Sequence, residues 1–426
     1  MLNRAVAPPI KDAIDFTLQL KPCEQFTLNN GVPVYLINAG AQDVIQIEVV
    51  LYAGNWTEPG QGIAAATNYL LKNGTTNRTA FQINEDFEYY GAYCNRACYN
   101  ETAVLSLHSL TRHLTKLLPV MKDMLCNATF PEEELEIYKQ NSKQRLAVNL
   151  QKADFVANRK IDEYLYGKSH PYGTYSNSTD IDALNTGALH SFYSQHYING
   201  ACAIFVAGKL PEGLKELLNE NFGYLSLHKP TFKVNEIKTI PAIEKKYRIQ
   251  NDDKAVQGAI RIASEFPGRQ HKDFKKIMLL NTLFGGFFGS RLMSNIREDK
   301  GYTYGIHSYI QNHTQQSAWV ISTDAGKDVC EATISEVYKE MKKLREKLVD
   351  DEELLLVRNF MLGGILGDLS GPFQLIAKWK NIILNNHDEK YFYESLDAIR
   401  YTTADELMAL ANEYLQPEKF YELVVY

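Results

Sequence analysis

The stretch GIAAATNYLLKNGT, residues 62–75, decides how the rest of the chain is read. Gly62 opens an apolar helical run, Ala64 follows two positions later, and a Lys-Asn-Gly-Thr tail closes it. Just upstream, VIQIEVVLYAG (44–54) has the alternation of a strand, and a short polar turn joins the two. The same order recurs later: AVQGAIRIA (255–263) predicts a strand, and the apolar helix FKKIMLLNTLF follows a polar turn.

Each half also closes alike. Thr186 starts a predicted helix reaching Tyr197, followed by the strand ACAIFVAG; Thr403 starts one reaching Tyr414, followed by FYELVVY. Both intervals are eleven residues, and both threonines are expected N-caps. Between the copies, HKPTFKVNEIKTIPAIEK (228–245) has two prolines, alternating charge and no helical period, as a linker would. The expectation is an α+β chain of two homologous domains, 1–229 and 230–426, each a mostly antiparallel sheet packed with helices.

Within the first half, Pro131 followed by Glu132, Glu133 and Glu134 predicts the start of a long helix reaching about Leu150, since acids suit the positive end of the helix dipole. FEYYG ends a helix at Gly91, and AYCNRACYNETAVLSLHSL reads as two strands turning near Asn100 and Glu101. In the second half, 290–300 reads as a helix capped by Ser290, with Leu292, Met293 and Ile296 buried. Gly301 supplies a left-handed turn, and YTYGIHS leaves as a strand that returns Tyr304 to the neighbourhood of Arg297.

Bulk properties bound the function. The 426 residues are 45% hydrophobic and 23% charged, with a net charge of −6, which gives no footprint for nucleic acid. MLNRAVAPPIKDAIDF holds no apolar stretch of signal-peptide length, and nowhere do about eighteen apolar residues run together, so no membrane association and a cytoplasmic location are expected. Six cysteines are too sparse for a disulfide framework, and free, mostly buried thiols are expected.

Local signatures of chemistry are missing. Zinc needs three or four converging His, Cys or carboxylate groups at about 2.0 to 2.3 Å. The nearest histidine pairs, His108/His113, His190/His196 and His307/His313, are five, six and six apart, and none has the i, i+4 spacing of one helix face. Cys94 and Cys98 lie in a predicted strand, where four residues span roughly 13 Å. GGFFGSRL (285–292) lacks the Lys-Ser/Thr and the glycine order of nucleotide loops, and no Gly-x-Ser-x-Gly elbow is present.

Taken together these segments resemble the inverted-zincin peptidases, the family of pitrilysin, insulinase and mitochondrial processing peptidase. NNGVPVYLINAG (29–40) is similar to the family's opening hairpin, LYAGNWTEPGQGIA to the approach to its active-site helix, and FPEEELEIYKQNSKQRL to its later helix. The active family helix runs Gly-x-Ala-His-x-x-Glu-His and ends in Gly-Thr. Set on Gly62, Ala64 and Gly74-Thr75, the first zinc histidine falls on Ala65, the general-base glutamate on Asn68, the second histidine on Tyr69 and the third ligand on Arg145. Alanine offers no lone pair, neutral asparagine is a poor proton acceptor, and arginine repels a dication. No metal ligand set is therefore expected in this chain, and zinc is expected in a partner.

The resemblance implies more for the second half. SRLMSNIREDKGYTYGIHS (290–308) is similar to the family's second-domain signature, whose arginine and tyrosine correspond to Arg297 and Tyr304 and reach across to a zinc-bearing half. A guanidinium and a phenol are suited to a peptide carbonyl or developing oxyanion. The strand after Gly91 corresponds to one that accepts peptide main chain by β-addition; Asn95 matches that pattern, while Arg96 and Cys98 depart from it, and Asn95 and Arg96 are the expected substrate-binding positions. The implied function is a non-catalytic, zinc-less subunit of a heterodimeric metallopeptidase, half of a clamshell, working with a homologous zinc-binding subunit on an extended peptide. The rivals are a structural core subunit of a larger assembly and a stand-alone peptide-binding protein, as monomer or homodimer.

Overall fold

The computed structural model describes residues 11–231 and 237–426. The first ten residues, read above for a leader, and 232–236 within the linker lie outside the described residues. The first half runs β1 (Glu24–Thr27), β2 (Pro33–Asn38), β3 (Val44–Leu51), α1 (Ile63–Leu70), α2 (Ala80–Tyr89), β4 (Tyr93–Cys98), β5 (Ala103–Leu110), α3 (Leu114–Asn127), α4 (Glu132–Asn149), α5 (Ala153–Tyr166), α6 (Ser178–Ala183), α7 (Thr186–Tyr193), β6 (Cys202–Gly208) and α8 (Leu214–Phe222). The second runs β7 (Lys246–Ile249), β8 (Gln257–Phe266), α9 (Phe274–Asn281), β9 (Thr303–Asn312), β10 (Ser317–Gly326), α10 (Cys330–Glu346), α11 (Asp351–Asp368), α12 (Pro372–Leu384), α13 (Glu389–Tyr401), α14 (Ala404–Tyr414) and β11 (Tyr421–Val425).

The strand orders carry the duplication. The first sheet is β1-β2-β6-β3-β5-β4 and the second β7-β11-β8-β10-β9. Without β1 the two orders correspond strand for strand, and among the described residues each has a single parallel pair, β2 with β6 and β7 with β11. β4 and β9 are thus equivalent edge strands.

Central strands read as unbroken apolar runs because both their faces are covered. Each sheet packs its own helices on one face. The opposite face is covered by the other half: Leu375, Ile376 and Trp379 of α12 lie on Ile37, Ala203 and Phe205, and Ala157, Ile161 and Leu165 of α5 lie on Ala263, Val320 and Leu423. Glu48 in the middle of β3 is the polar exception, and Lys380 of α12 meets it at 2.6 Å. Neither half closes its own core, so the two units were legible as copies but are not independent in packing.

Two expected caps differ. Thr403 caps α14 as anticipated, in a capping box that Glu406 completes, but α7 is capped by Asn185, whose Oδ1 accepts from the Ala188 amide at 2.9 Å, rather than by Thr186. Asparagine outranks threonine at this position and lies one residue earlier. Ser290 caps nothing: its hydroxyl is buried without a hydrogen-bond partner among the described residues, and the segment it precedes is the π-helical turn Met293–Asp299. All six cysteines are free, three buried and three half-buried.

Candidate functional site

Helix α1 forms between the glycines that punctuate it in the sequence. Gly62 adopts φ +85°, a left-handed conformation suited to glycine, and the Glu58 carboxylate accepts from the Ala64 amide at 2.9 Å at the positive end of α1. Burial raises the Glu58 pKa, and its hydrogen bonds to the helix amides hold it partly back. Ala64, Ala66, Thr67, Asn68 and Leu70 are buried, whereas Ala65 and Tyr69, four apart, look out of the core. That outward face is where the family's two histidines would project.

The side chains there do not fit zinc. Ala65 and Asn68 supply no suitable ligand, and Asn68 is turned into the protein, its Nδ2 buried without a partner among the described residues. The Tyr69 ring packs on Tyr138 of α4 with centroids 5.1 Å apart, and Arg145 lies exposed near the end of α4, 3.4 Å from the Ser142 hydroxyl. Among the described residues no group of three or more His, Cys, Asp or Glu is placed to hold a metal ion.

A cavity of about 170 Å³ borders Ala65. It is walled by Glu58 and Asn100 of the first half, Asp162 of α5, Tyr175, and Gln311 and His313 at the far end of β9. Burial pushes Asp162 up to about 6 despite hydrogen bonding from the Tyr175 hydroxyl and Gln311, and pulls His313 down to about 4. His313 stacks on Tyr172 at 3.9 Å, and the Tyr172 hydroxyl donates to Glu101 at 2.5 Å. Sequence reasoning missed Glu58, Asp162 and Tyr175; an acid shortly before a helix start was the available signal for Glu58.

Arg297 and Tyr304 do come together. Gly301 at φ +65° makes the predicted reversal, and Arg297 Nε donates to the Tyr304 main-chain carbonyl at 3.0 Å. The guanidinium lies over the Phe288 ring at 4.6 Å, and Glu298 approaches it at 3.8 Å. The Tyr304 side chain is free, the residue being 94% exposed. The contact is therefore guanidinium to backbone; Nη1 lies beside Glu298, and the phenol and Nη2 are left uncommitted among the described residues. Seven residues of β9 separate Tyr304 from Gln311, roughly 23 Å of strand, so the pair stands well away from the Ala65 cavity.

On β4, Asn95 is exposed and pairs in register with Ser106 of β5. Arg96 is partly buried: its Nη1 donates to the Tyr69 carbonyl and, at 3.4 Å, to Asn73 Oδ1, and its guanidinium lies 4.9 Å from the Tyr69 ring centroid.

A duplicated α+β chain whose metallopeptidase helix is framed but stripped of donors defines a peptidase fold without its metal centre. Residues 34–172 match the family model for Insulinase (Peptidase family M16), and 183–361 match that for the Peptidase M16 inactive domain; the chain belongs to peptidase family M16 and lacks its zinc motif. It is 26% identical over 348 residues to an uncharacterized zinc protease of Rickettsia felis, covering 80% of this chain and 82% of that one. It is 23% identical over 339 residues to the mitochondrial-processing peptidase subunit beta of Bos taurus, covering 74% and 66%. The fold matches the crystal structure of a peptidase M16 inactive domain from Pseudomonas fluorescens with a TM-score of 0.82 at 20% identity, over 95% of this chain and 98% of that one.

Proposed function

We propose that this chain is the metal-free subunit of a two-chain peptidase, pairing with a homologous zinc-bearing subunit and lending it Arg297 and Tyr304. The carrying observation is the pair's disposition: an exposed phenol and a guanidinium held by one backbone bond, far along β9 from the chain's own α1. Donors so placed serve another molecule better than they serve this one. A guanidinium anchored through Nε, with Nη1 beside Glu298, keeps Nη2 for a substrate carbonyl or the charge that develops on it, and a fixed donor of that kind needs no reorganisation during reaction.

Substrate positioning falls to β4. It has no strand neighbour on its outer side among the described residues, and its unpaired main chain can take an extended peptide by β-addition, with exposed Asn95 beside it. Kinship with a relative named as one subunit of a processing peptidase supports the paired arrangement. Metal chemistry belongs to the partner in this reading, and this chain's residues bind, orient and stabilise.

The test is co-purification with a zinc-bearing homologue and assay of peptide cleavage. Arg297→Ala is expected to lower kcat by about a hundredfold or more while leaving both chains folded by circular dichroism. Full activity in that variant would refute the trans role.

A further inference from the structure

We propose that Arg96 and Lys72 form a receptor for a carboxylate carried by the peptide on β4; the inference rests on the β4 docking reading given above. Arg96 reaches Asn73, the residue next to Lys72, at the end of α1, and its charge acts on the Lys72 ammonium. Arg96 uses Nη1 on the Tyr69 carbonyl and Asn73, and its Nε and Nη2 have no hydrogen-bond partner among the described residues. Lys72 makes no hydrogen bond or ion pair among them either; its ammonium sits 5.4 Å from the Phe87 ring centroid. Glu88 acts on Lys72 at a distance without pairing, and Asn73 occupies Glu134 at 2.7 Å. Among the described residues no carboxylate forms an ion pair with either cation.

Holding two like charges together away from full hydration is unfavourable, and burial lowers the pKa of each, with the Arg96 charge adding to the effect on Lys72. The carbonyl end of α1 offsets part of this through its partial negative charge. What remains is a guanidinium with two free donors beside an ammonium, a match for a planar carboxylate. The geometry also says which carboxylate. Arg96 projects from β4 itself, and a peptide added to that edge directs alternate side chains to the face Arg96 occupies, about one strand spacing away. Either an acidic side chain or the peptide's terminal carboxylate fits this position.

The experiment is fluorescence anisotropy with the full chain and three labelled peptides of matched length: one with an internal glutamate and an amidated end, one neutral with a free carboxyl end, and one neutral and amidated. At least one carboxylate-bearing peptide is expected to bind about tenfold tighter than the neutral amide, and which one does so identifies the source. Arg96→Gln and Lys72→Gln should each erode that preference, and Arg96→Glu should transfer it to a lysine-containing peptide. Equal binding of all three, or a preference surviving both glutamine variants, overturns the receptor while leaving β4 docking intact. No binding of any peptide overturns the docking reading and this inference with it.

Discussion

β4 and β9 occupy the same place in two copies of one sheet, yet their polar groups are disposed in opposite ways. Beside β4, the helix in the place of the family's active-site helix packs its polar side chains: Asn68 is buried, Tyr69 rests on Tyr138, and Arg96 spends Nη1 on the Tyr69 carbonyl. Beside β9, Arg297 is steadied by one backbone bond, one ring and the neighbouring Glu298, and Tyr304 extends into solvent. The difference teaches that equivalent edges of a duplicated fold can differ in what their side chains leave exposed. At β4 what is left for a second molecule is the outer main chain and the Nε and Nη2 donors of a half-buried Arg96, whereas at β9 it is an exposed phenol.

The sharpest way to break the comparison is to exchange the effects of the two arginines. Arg297→Ala should remove about 3 to 4 kcal/mol of transition-state stabilisation from the paired enzyme and change the melting temperature of this chain by no more than about a degree. A variant that instead unfolds would place Arg297 with the structural residues.

Next in size is the junction of the two regions. Asp162, with its pKa raised to about 6, is protonated more readily in the folded chain than in the unfolded one, where about 3.9 is usual. Its burial therefore costs nothing below about pH 4, and the full cost is present above about pH 6. Asp162→Asn should gain on the wild type by about 2 kcal/mol across that window, less whatever the weakened Tyr175 bond removes. Denaturant titrations of both proteins at pH 4.5 and 7 check this; a difference that does not change with pH contradicts it.

The smallest effect sharpens the contrast from the other side. Arg96→Gln deletes a cation at the carbonyl end of α1 and should cost about 1 kcal/mol of stability, seen as a lower denaturant midpoint with unchanged slope. No loss at all would mean that α1 does not depend on its attachment to β4.

Much of this was legible in the residues. The frame of Gly62, Ala64 and Gly74 located α1, and Gly301 located the reversal that joins Arg297 to Tyr304, because both depend on backbone conformations that few residues adopt. The strand reading placed β4 and β5 and their turn. It did not say that Arg96 faces α1, although the alternation with buried Cys94 pointed that way. The π-helical turns at 282–286 and 293–299 have no periodic signature in sequence, and the cap of α7 was misplaced by one residue because Asn185 and Thr186 stand side by side. The reciprocal covering of the sheets by α5 and α12 was out of reach, since an amphipathic helix does not announce which sheet it will cover. The polar cavity beside Ala65 was equally hidden, being assembled from segments as distant as Glu58 and His313.

The central claim is that this chain holds no catalytic metal of its own and works through a partner. The most direct test measures zinc content and peptidase activity of the purified chain, first alone and then mixed with a zinc-bearing homologue. The account predicts no stoichiometric zinc and no cleavage alone, with activity in the mixture that depends on Arg297. One tightly held zinc per chain, with chelator-sensitive proteolysis by the chain alone, would contradict it.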